Sequence, residues 1–308
     1  DDGSQDDSAA LANQMGATLL KTTTGRLGPG AARNQGAQHA KGDVLYFIDA
    51  DCEIHADTLA NIHQIFQAEP TIDALIGSYD DSPAAPNFLA QYKNLFHHYV
   101  HQSSQAEAST FWGACGAIKR LRFLELGGFD VNLYQRPAVE DIELGYRLKQ
   151  AGGRIRLAKQ VQIKHLKAWR WKSLLKADIF DRGIPWTQLL MKYKAFMSDL
   201  NLQTHNRVSV VAVYGLLAAI GVALFQPQTI WIAVGLEILL LWLNWPLYRF
   251  FYEKRGLFFA LRVIPMHWLY YFYNAISFGC GVLLHWQAQA KTPSSLPPLA
   301  DRAEIDRN

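Results

Sequence analysis

Apolar and polar positions alternate in short blocks along residues 1–206, whereas from 208 onward apolar residues run almost unbroken. "ADTLANIHQIFQ" sets Leu59, Ile62, Ile65 and Phe66 at the 3.6-residue spacing of a helix with one apolar face. "VLYFID" is a continuous apolar run, which predicts a strand buried on both faces, as in a parallel sheet. "ATLLKTT" (17–23) and "DALIGSY" are further strand candidates, and a helix is predicted at 7–14. "GRLGPGAARNQGAQHA" reads as a Gly-rich loop running into a helix that stops at "KGD". This order predicts an α/β fold with a mostly parallel sheet and helices on both faces.

The apolar C-terminal part predicts membrane. "VSVVAVYGLLAAIGVALF" (208–225) carries no charge, and "TIWIAVGLEILLLWLNWPLY" (229–248) carries one, Glu237. Each is long enough for a spanning helix. Glu237 facing lipid would cost about 2.5–3.5 kcal/mol, so it is expected to face another helix. A third stretch, 257–286, is interrupted by Arg262 and Pro265. Its start reads as interfacial and 267–285 as a third span, for two to three transmembrane helices in all. Basic flanks ("MKYKAF" and Arg207 before, "YRFFYEKRG" after) put both outer ends of the first pair in the cytoplasm. The expected organisation is a cytoplasmic domain at 1–206, a membrane region at 207–286 and a disordered Pro/Ser-rich tail at 287–308. That makes a multi-pass protein of the cytoplasmic (inner) membrane. The chain opens on "DDGSQDD" without Met, and reads as the interior of a longer protein.

Composition narrows the partners. A net charge of +3 over 308 residues is too small to point to nucleic acid. Cys52, Cys115 and Cys280 lie far apart and form no CxxC pair, which fits a reducing compartment and suggests neither structural zinc nor disulfides.

The candidate chemistry is acidic. In a parallel sheet, ligands sit beyond the carboxyl ends of the strands, where Asp49 and Asp51 close "VLYFID". In extended chain, residues two apart point to one side. Two converging carboxylates then need a cation or proton between them, and a hard ion such as Mg²⁺ or Mn²⁺ would also take phosphate oxygens. The alternative is that both acids cap the following turn and helix. In "PAVEDIELGYRL", Glu140 and Asp141 stand at a predicted helix start, which suits either capping acids or a general base. His97, His98 and His101 include an i, i+4 pair but read as a polar helix face.

"DDGS", "GPGAARNQGAQHAKGDVLYFIDAD", "FWGACGAIKRLRFLELGGFD" and "AVEDIELGYRLKQAGGRI" occur in that order. Together they resemble the family 2 glycosyltransferases, over residues 1 to about 190. The resemblance implies a GT-A-like (Rossmann-like) domain that inverts a sugar while moving it from a nucleotide-diphospho-sugar donor to a hydroxyl acceptor. It implies donor contacts from Asp2, Arg33 and Asp49, a divalent metal on Asp51 and His165, Asp141 as general base and Glu140 beside it. Trp112, Gly113 and Ala114 would form an acceptor loop. It also implies that strands normally precede "DDGS", so the domain is expected to be N-terminally incomplete. "RGIPW" (182–186) keeps Arg182 and Trp186 of a motif of processive members but has Pro185 where they carry Arg, which favours single additions. A membrane location points to a lipid, lipid-linked or cell-envelope glycan acceptor. The competing readings are a nucleotidyl or phosphosugar transferase and a non-catalytic membrane scaffold that binds sugar nucleotides.

Overall fold

The computed structural model describes residues 1–22, 27–132, 139–194 and 203–291. The chain begins with α1 (Ser8–Gln14) and α2 (Pro29–His39), then β1 (Val44–Ile48) and β2 (Cys52–Ile54). Next come α3 (Thr58–Ala68), β3 (Ala74–Tyr79), α4 (Phe88–Ser103), β4 (Glu107–Ala108) and β5 (Cys115–Lys119). After α5 (Arg120–Glu125) follow α6 (Glu140–Gln150), β6 (Ile155–His165) and α7 (Trp171–Leu175), then a π-helical segment, Lys176–Gly183. The C-terminal helices are α8 (Ile184–Tyr193), α9 (Thr204–Ala223), α10 (Ile230–Leu243), α11 (Trp245–Arg255) and α12 (Leu257–Lys291). Residues 17–22 of the first strand candidate form no strand; Thr22 N–H instead donates to Asp1 O at 3.0 Å. Residue 23 and the tail from 292 lie outside the described residues, and α12 extends past the expected tail start at 287.

The sheet runs β1-β5-β3-β6-β2, with β4 also on β6. It is not mostly parallel. Only β3 and β6 are parallel; β1–β5, β3–β5, β2–β6 and β4–β6 are antiparallel. Apolar runs report burial, not direction. Here β5 returns between β1 and β3 against both of them, so the sheet is mixed. The strand buried on both faces is β3, where Ala74, Leu75 and Ile76 are all fully buried. β1 lies at the edge of the described sheet and buries only alternate residues, Leu45 and Phe47, leaving Ile48 exposed. A core on one face gathers Phe47, Ile76, Phe111, Leu144 and Leu157, and one on the other gathers Ile62, Ile65, Leu75, Val161 and Ile163. In α3 the buried stripe is Thr58, Ile62 and Ile65, while Leu59 points to solvent, so its apolar face is narrower than the pattern predicts.

The C-terminal helices share the first of these cores. α4 lies between the sheet and α11/α12: Tyr92 Oη meets His267 Nδ1 at 2.9 Å, and Phe88 packs on Phe259 at 5.0 Å. Phe251, Val263, Met266 and Tyr273 are buried in the same cluster as Phe47. α12 also runs along α8, where Gly281 comes against Thr187.

Among the described residues one helix, Thr204–Ala223, is long and apolar enough to cross a membrane. Pro227–Leu243 and Trp245–Arg255 pass only as a pair, bent by 62°. The straight span expected at 229–248 is therefore broken, at Asn244. Pro246 has no N–H to continue the helix ladder. The buried Asn244 side chain donates to Ser209 Oγ at 3.1 Å and accepts from Tyr271 Oη at 2.6 Å, tying α9, the bend and α12 together. Glu237 is exposed on α10 and does not face another helix. The third stretch is one 35-residue helix that passes through Pro265, with no boundary between an interfacial start and a span.

Candidate active site

The acids after β1 do not continue the strand. Cys52 N–H donates to Asp49 O at 3.1 Å, closing a turn that leads into β2. The extended geometry expected for Asp49 and Asp51 is thereby lost, and the two side chains part. Asp49 forms an ion pair with Arg33, and Asp51 Oδ2 lies 3.5 Å from His165 Nε2.

β2 builds the Asp51 end. Cys52 is directly opposite His165 in the β2–β6 pair, so both side chains share a face. Leu166 N–H donates to Asp51 O at 2.8 Å and holds the turn against the end of β6. His165 is buried, stacks on Tyr79 with ring centroids 4.4 Å apart, and meets Asn94 Oδ1 through Nδ1 at 2.7 Å. With the Asn94 amide oxygen turned toward the ring, Nδ1 is the donor and Nε2 faces Asp51. A protonated ring makes an ion pair there. A neutral ring aims a lone pair at a carboxylate, and a cation between them satisfies both. Donor atoms of Asp51, Cys52 and His165 lie within 4.8 Å of one another, so the donor set fits a small divalent ion with room for further oxygen ligands. The neighbouring His165 ring outweighs burial and holds the Asp51 carboxyl below the usual carboxylate range.

Arg33 joins three motifs that are far apart in the sequence. It projects from α2 and pairs with Asp49, and its Nη1 lies 3.6 Å from Glu140 Oε1. A Cβ on Gly113 would sit 3.3 Å from the same guanidinium. The neighbouring Asn34 fixes the "GGFD" turn, donating to Phe129 O and accepting from Phe129 N–H, each at 2.8 Å. Asp2 is spent on the loop before α2: its carboxylate accepts from Thr22 Oγ1 (2.8 Å), Leu27 N–H (2.9 Å) and Gly28 N–H (2.7 Å). Burial opposes its ionisation, and these three donors together still leave its carboxyl below the ordinary range.

Asp141 sits at the head of α6. Its Oδ2 accepts from Gly113 N–H at 2.9 Å and its Oδ1 from Ile142 N–H at 2.8 Å. α6 can come this close because Gly145 lies against the 110–111 backbone, where a Cβ would be 2.2 Å from Phe111 N. Burial raises the Asp141 carboxyl above its ordinary value, against the pull of Gly113 N–H, Arg33, Arg182 and Ile142 N–H. Glu140 is buried beside it.

In the loop, Ala114 is buried and Trp112 stands edge-on to Tyr79 at 4.9 Å. Trp112 also packs on His97 at 4.5 Å. The histidines of α4 are not a polar outer face. His98 and His101 are buried, and their Nδ1 atoms meet Tyr79 O and Gly77 O, each at 2.7 Å. The fold thus brings Arg33, Asp49, Glu140, Asp141 and Gly113 into one linked group and Asp51 with His165 into another at the same sheet end. Asp2 is joined to neither by the contacts seen. Sequence reasoning missed Asn94, Tyr79 and Asn34, and it assigned no role to Cys52. Asn34 had a faint signal in its place after Arg33; Asn94 had none, since only the packing of α4 aims it at His165.

Residues 1–127 match the model of Glycosyl transferase family 2. The chain is similar to a probable N-acetylgalactosaminyltransferase 7 of Caenorhabditis elegans, 29% identical over 46% of this chain and 27% of that one. It is similar to cellulose synthase 1 of Komagataeibacter xylinus, 27% identical over 65% of this chain and 14% of that one. It therefore spans only a small part of these relatives' lengths. Among solved structures, the mannosyltransferase PcManGT of Pyrobaculum calidifontis, in complex with GDP-Man and Mn²⁺, aligns with 94% of this chain and 75% of its own at 18% identity and a TM-score of 0.45. S. aureus TarS aligns with 62% of this chain and 53% of its own, at 14% identity and the same TM-score. The first 127 residues are therefore similar to glycosyl transferase family 2, on a chain whose described part is a mixed sheet with flanking helices.

Proposed function

We propose that this protein transfers a sugar from a nucleotide-diphospho-sugar to a hydroxyl of a lipid-linked or cell-envelope glycan acceptor, with inversion at the anomeric carbon. The observation that carries the reading is the pairing of two unlike carboxylates at one end of the sheet. Asp51 is held ionised beside His165, and Asp141 is held at a raised pKa beside a backbone N–H. Environments that push two acids apart in this way are how one site supplies both a charge and a base.

Asp51 and His165 would hold a divalent metal, Mg²⁺ or Mn²⁺, with Cys52 alongside. When bound, that ion supplies positive charge against the diphosphate leaving group. The chain's own residues do the rest. Arg33 offers a cation near the donor and keeps Asp49 and Glu140 in place. Asp141 Oδ takes the proton from the acceptor hydroxyl as that oxygen attacks, with its own orientation set by Gly113 and Ile142 N–H. Burial raises the carboxyl toward the range where a base is both ionised and effective. Trp112 and Ala114 form the wall on the acceptor side, and Asp2 shapes the loop before α2 on the donor side.

The exposed apolar face of α9 supports a site beside a membrane surface, where one to three of the C-terminal helices would enter the bilayer with residues 1–206 on the cytoplasmic side. The exposed Glu237 favours a lower number, with α10 and α11 in the headgroup layer. The test is binding of UDP and GDP to the full chain with and without Mn²⁺, followed by a screen of nucleotide sugars for turnover in the presence of membranes. Metal-dependent nucleotide binding followed by sugar release from the donor is expected. A chain that binds neither nucleotide with Mn²⁺ is a scaffold, and the reading falls.

A further inference from the structure

The Asp51 end of the site holds one atom that a purely oxygen-seeking ion does not need. Cys52 follows Asp51 directly, opens β2 and stands opposite His165 in the β2–β6 pair. Successive side chains of a strand point to opposite faces. Glu53, the next residue and the harder ligand, is therefore turned away, exposed and opposite Lys164. Asp49, the other acid of the turn, is engaged by Arg33. The strand thus offers the site a sulfur and withholds a carboxylate. Among the described residues, the donor atoms that gather within 4.8 Å here come from one carboxylate, one imidazole and one thiol. His165 Nε2 lies 3.5 Å from Asp51 Oδ2, and Cys52 Sγ lies 3.9 Å from Asp51 Oδ1. Ligands bound at zinc-like lengths in a tetrahedron stand about 3.3–3.5 Å apart, so a small closure brings all three onto one ion. Leu166 N–H on Asp51 O and Asn94 Oδ1 on His165 Nδ1 hold the two flanking ligands while it does so.

We infer that Cys52 Sγ is a protein ligand of the ion beside Asp51 and His165. The site consequently prefers Co²⁺ and Zn²⁺ to Mg²⁺, with Mn²⁺ between them. The inference deepens the metal assignment of the transferase reading and rests on that assignment. Mg²⁺ demands a near-octahedral shell of oxygens and would find one protein carboxylate here. Imidazole and thiolate suit Co²⁺ and Zn²⁺, and affinity for such a mixed set rises from Mn²⁺ to Co²⁺. Three protein ligands leave a tetrahedral ion one open position, the arrangement of catalytic rather than structural zinc sites, and a diphosphate oxygen can fill it. The thiol gives its proton to solvent as the sulfur–metal bond forms.

The experiment titrates metal-free full chain with Co²⁺, in a Cys280→Ser background that removes an exposed thiol from α12. A sulfur-to-cobalt charge-transfer band that saturates at one ion per chain is expected. Cys52→Ser should erase the band and weaken Co²⁺ and Zn²⁺ about tenfold or more by calorimetry, while Mn²⁺, followed by its paramagnetic signal, changes by less than about threefold. Thermal midpoints without metal show that each variant is folded. X-ray absorption of the Zn²⁺-loaded chain needs no change at Cys52 and should find one sulfur on the ion. A Co²⁺ complex without the band, a band that survives Cys52→Ser, or a zinc shell of nitrogen and oxygen alone overturns the proposal. So does an equal loss of Mn²⁺ and Co²⁺ in Cys52→Ser, which would mark Cys52 as packing against the core of Ile62 and Val161. UDP and GDP binding with Mn²⁺ is measured on the same samples. Nucleotide binding without the band overturns the sulfur ligand alone, whereas the band without nucleotide binding keeps the ligand and overturns the transferase reading.

Discussion

Asp51 and Asp141 stand at the same end of one sheet, yet their surroundings treat them oppositely. Asp51 sits on an open turn, half exposed, with the His165 ring as its partner. Asp141 is enclosed between the head of α6 and the 111–113 loop, with neutral backbone donors in contact and the cations Arg33 and Arg182 farther off. The first environment rewards charge and the second resists it. The difference is one of partners, since both are aspartates at the end of a secondary-structure element.

Removing either acid breaks the comparison most sharply. Asp141→Asn should lower transfer by about 10²–10⁴-fold while Mn²⁺-dependent nucleotide binding is kept, as read from turnover and calorimetry on one preparation. Transfer at the wild-type rate would end the assignment of the base. Asn94→Ala touches the other acid at one remove. Without Asn94 Oδ1 the His165 ring loses its orientation, and Mn²⁺ affinity, followed by the metal's paramagnetic signal, should drop about 10–100-fold. Gly145→Ala presses a methyl on the Phe111 backbone, and is expected to cost about 1–3 kcal/mol in denaturant unfolding and to reduce turnover without changing metal affinity.

The smallest effects are in stability against pH, and their signs differ. The folded Asp141 carboxyl has a raised pKa, so between the ordinary carboxylate value and that raised value the folded state holds the extra proton. Stability from Asp141 is thus present at low pH and lost as pH rises through the window. Asp51 has a lowered folded pKa, so its contribution is present above the ordinary value and lost as pH falls through the folded one. At neutral pH, and without metal, Asp141→Asn should raise the thermal midpoint and Asp51→Asn should lower it. Shifts of the same sign would show that the two environments are not opposed. Turnover should also fall on acidification through the raised Asp141 value, because a protonated base accepts nothing.

Much of this arrangement is legible from residue order alone. The apolar strand "VLYFID", the helix after the Gly-rich loop, the helix start at Glu140 and the motifs from "DDGS" to "AVED" can be read without coordinates, and so can the apolar stretch at 208–225. These features are local: side-chain period, helix-start chemistry and apolar length each act over a few residues. Strand direction was not legible, because Val44–Ile48 and Cys115–Lys119 carry the same apolar signature whichever way they run. Nor was the break at Asn244, which depends on Ser209 and Tyr271 reaching it from two other helices.

The sequence by itself determined which chemical groups this protein owns and roughly which element carries each: carboxylates at 49, 51, 140 and 141, Arg33 on a helix, His165 at a strand end. Only the tertiary structure decided which of them act together. It turned Asp51 away from Asp49 toward His165, gave Arg33 to Asp49 and Glu140, and put Arg182 on a cavity between α4 and the C-terminal helices. Identity and local propensity are set by neighbours a few residues away. Pairing, burial and the pKa shifts that follow depend on groups tens of residues distant, and those distances close only when the chain folds.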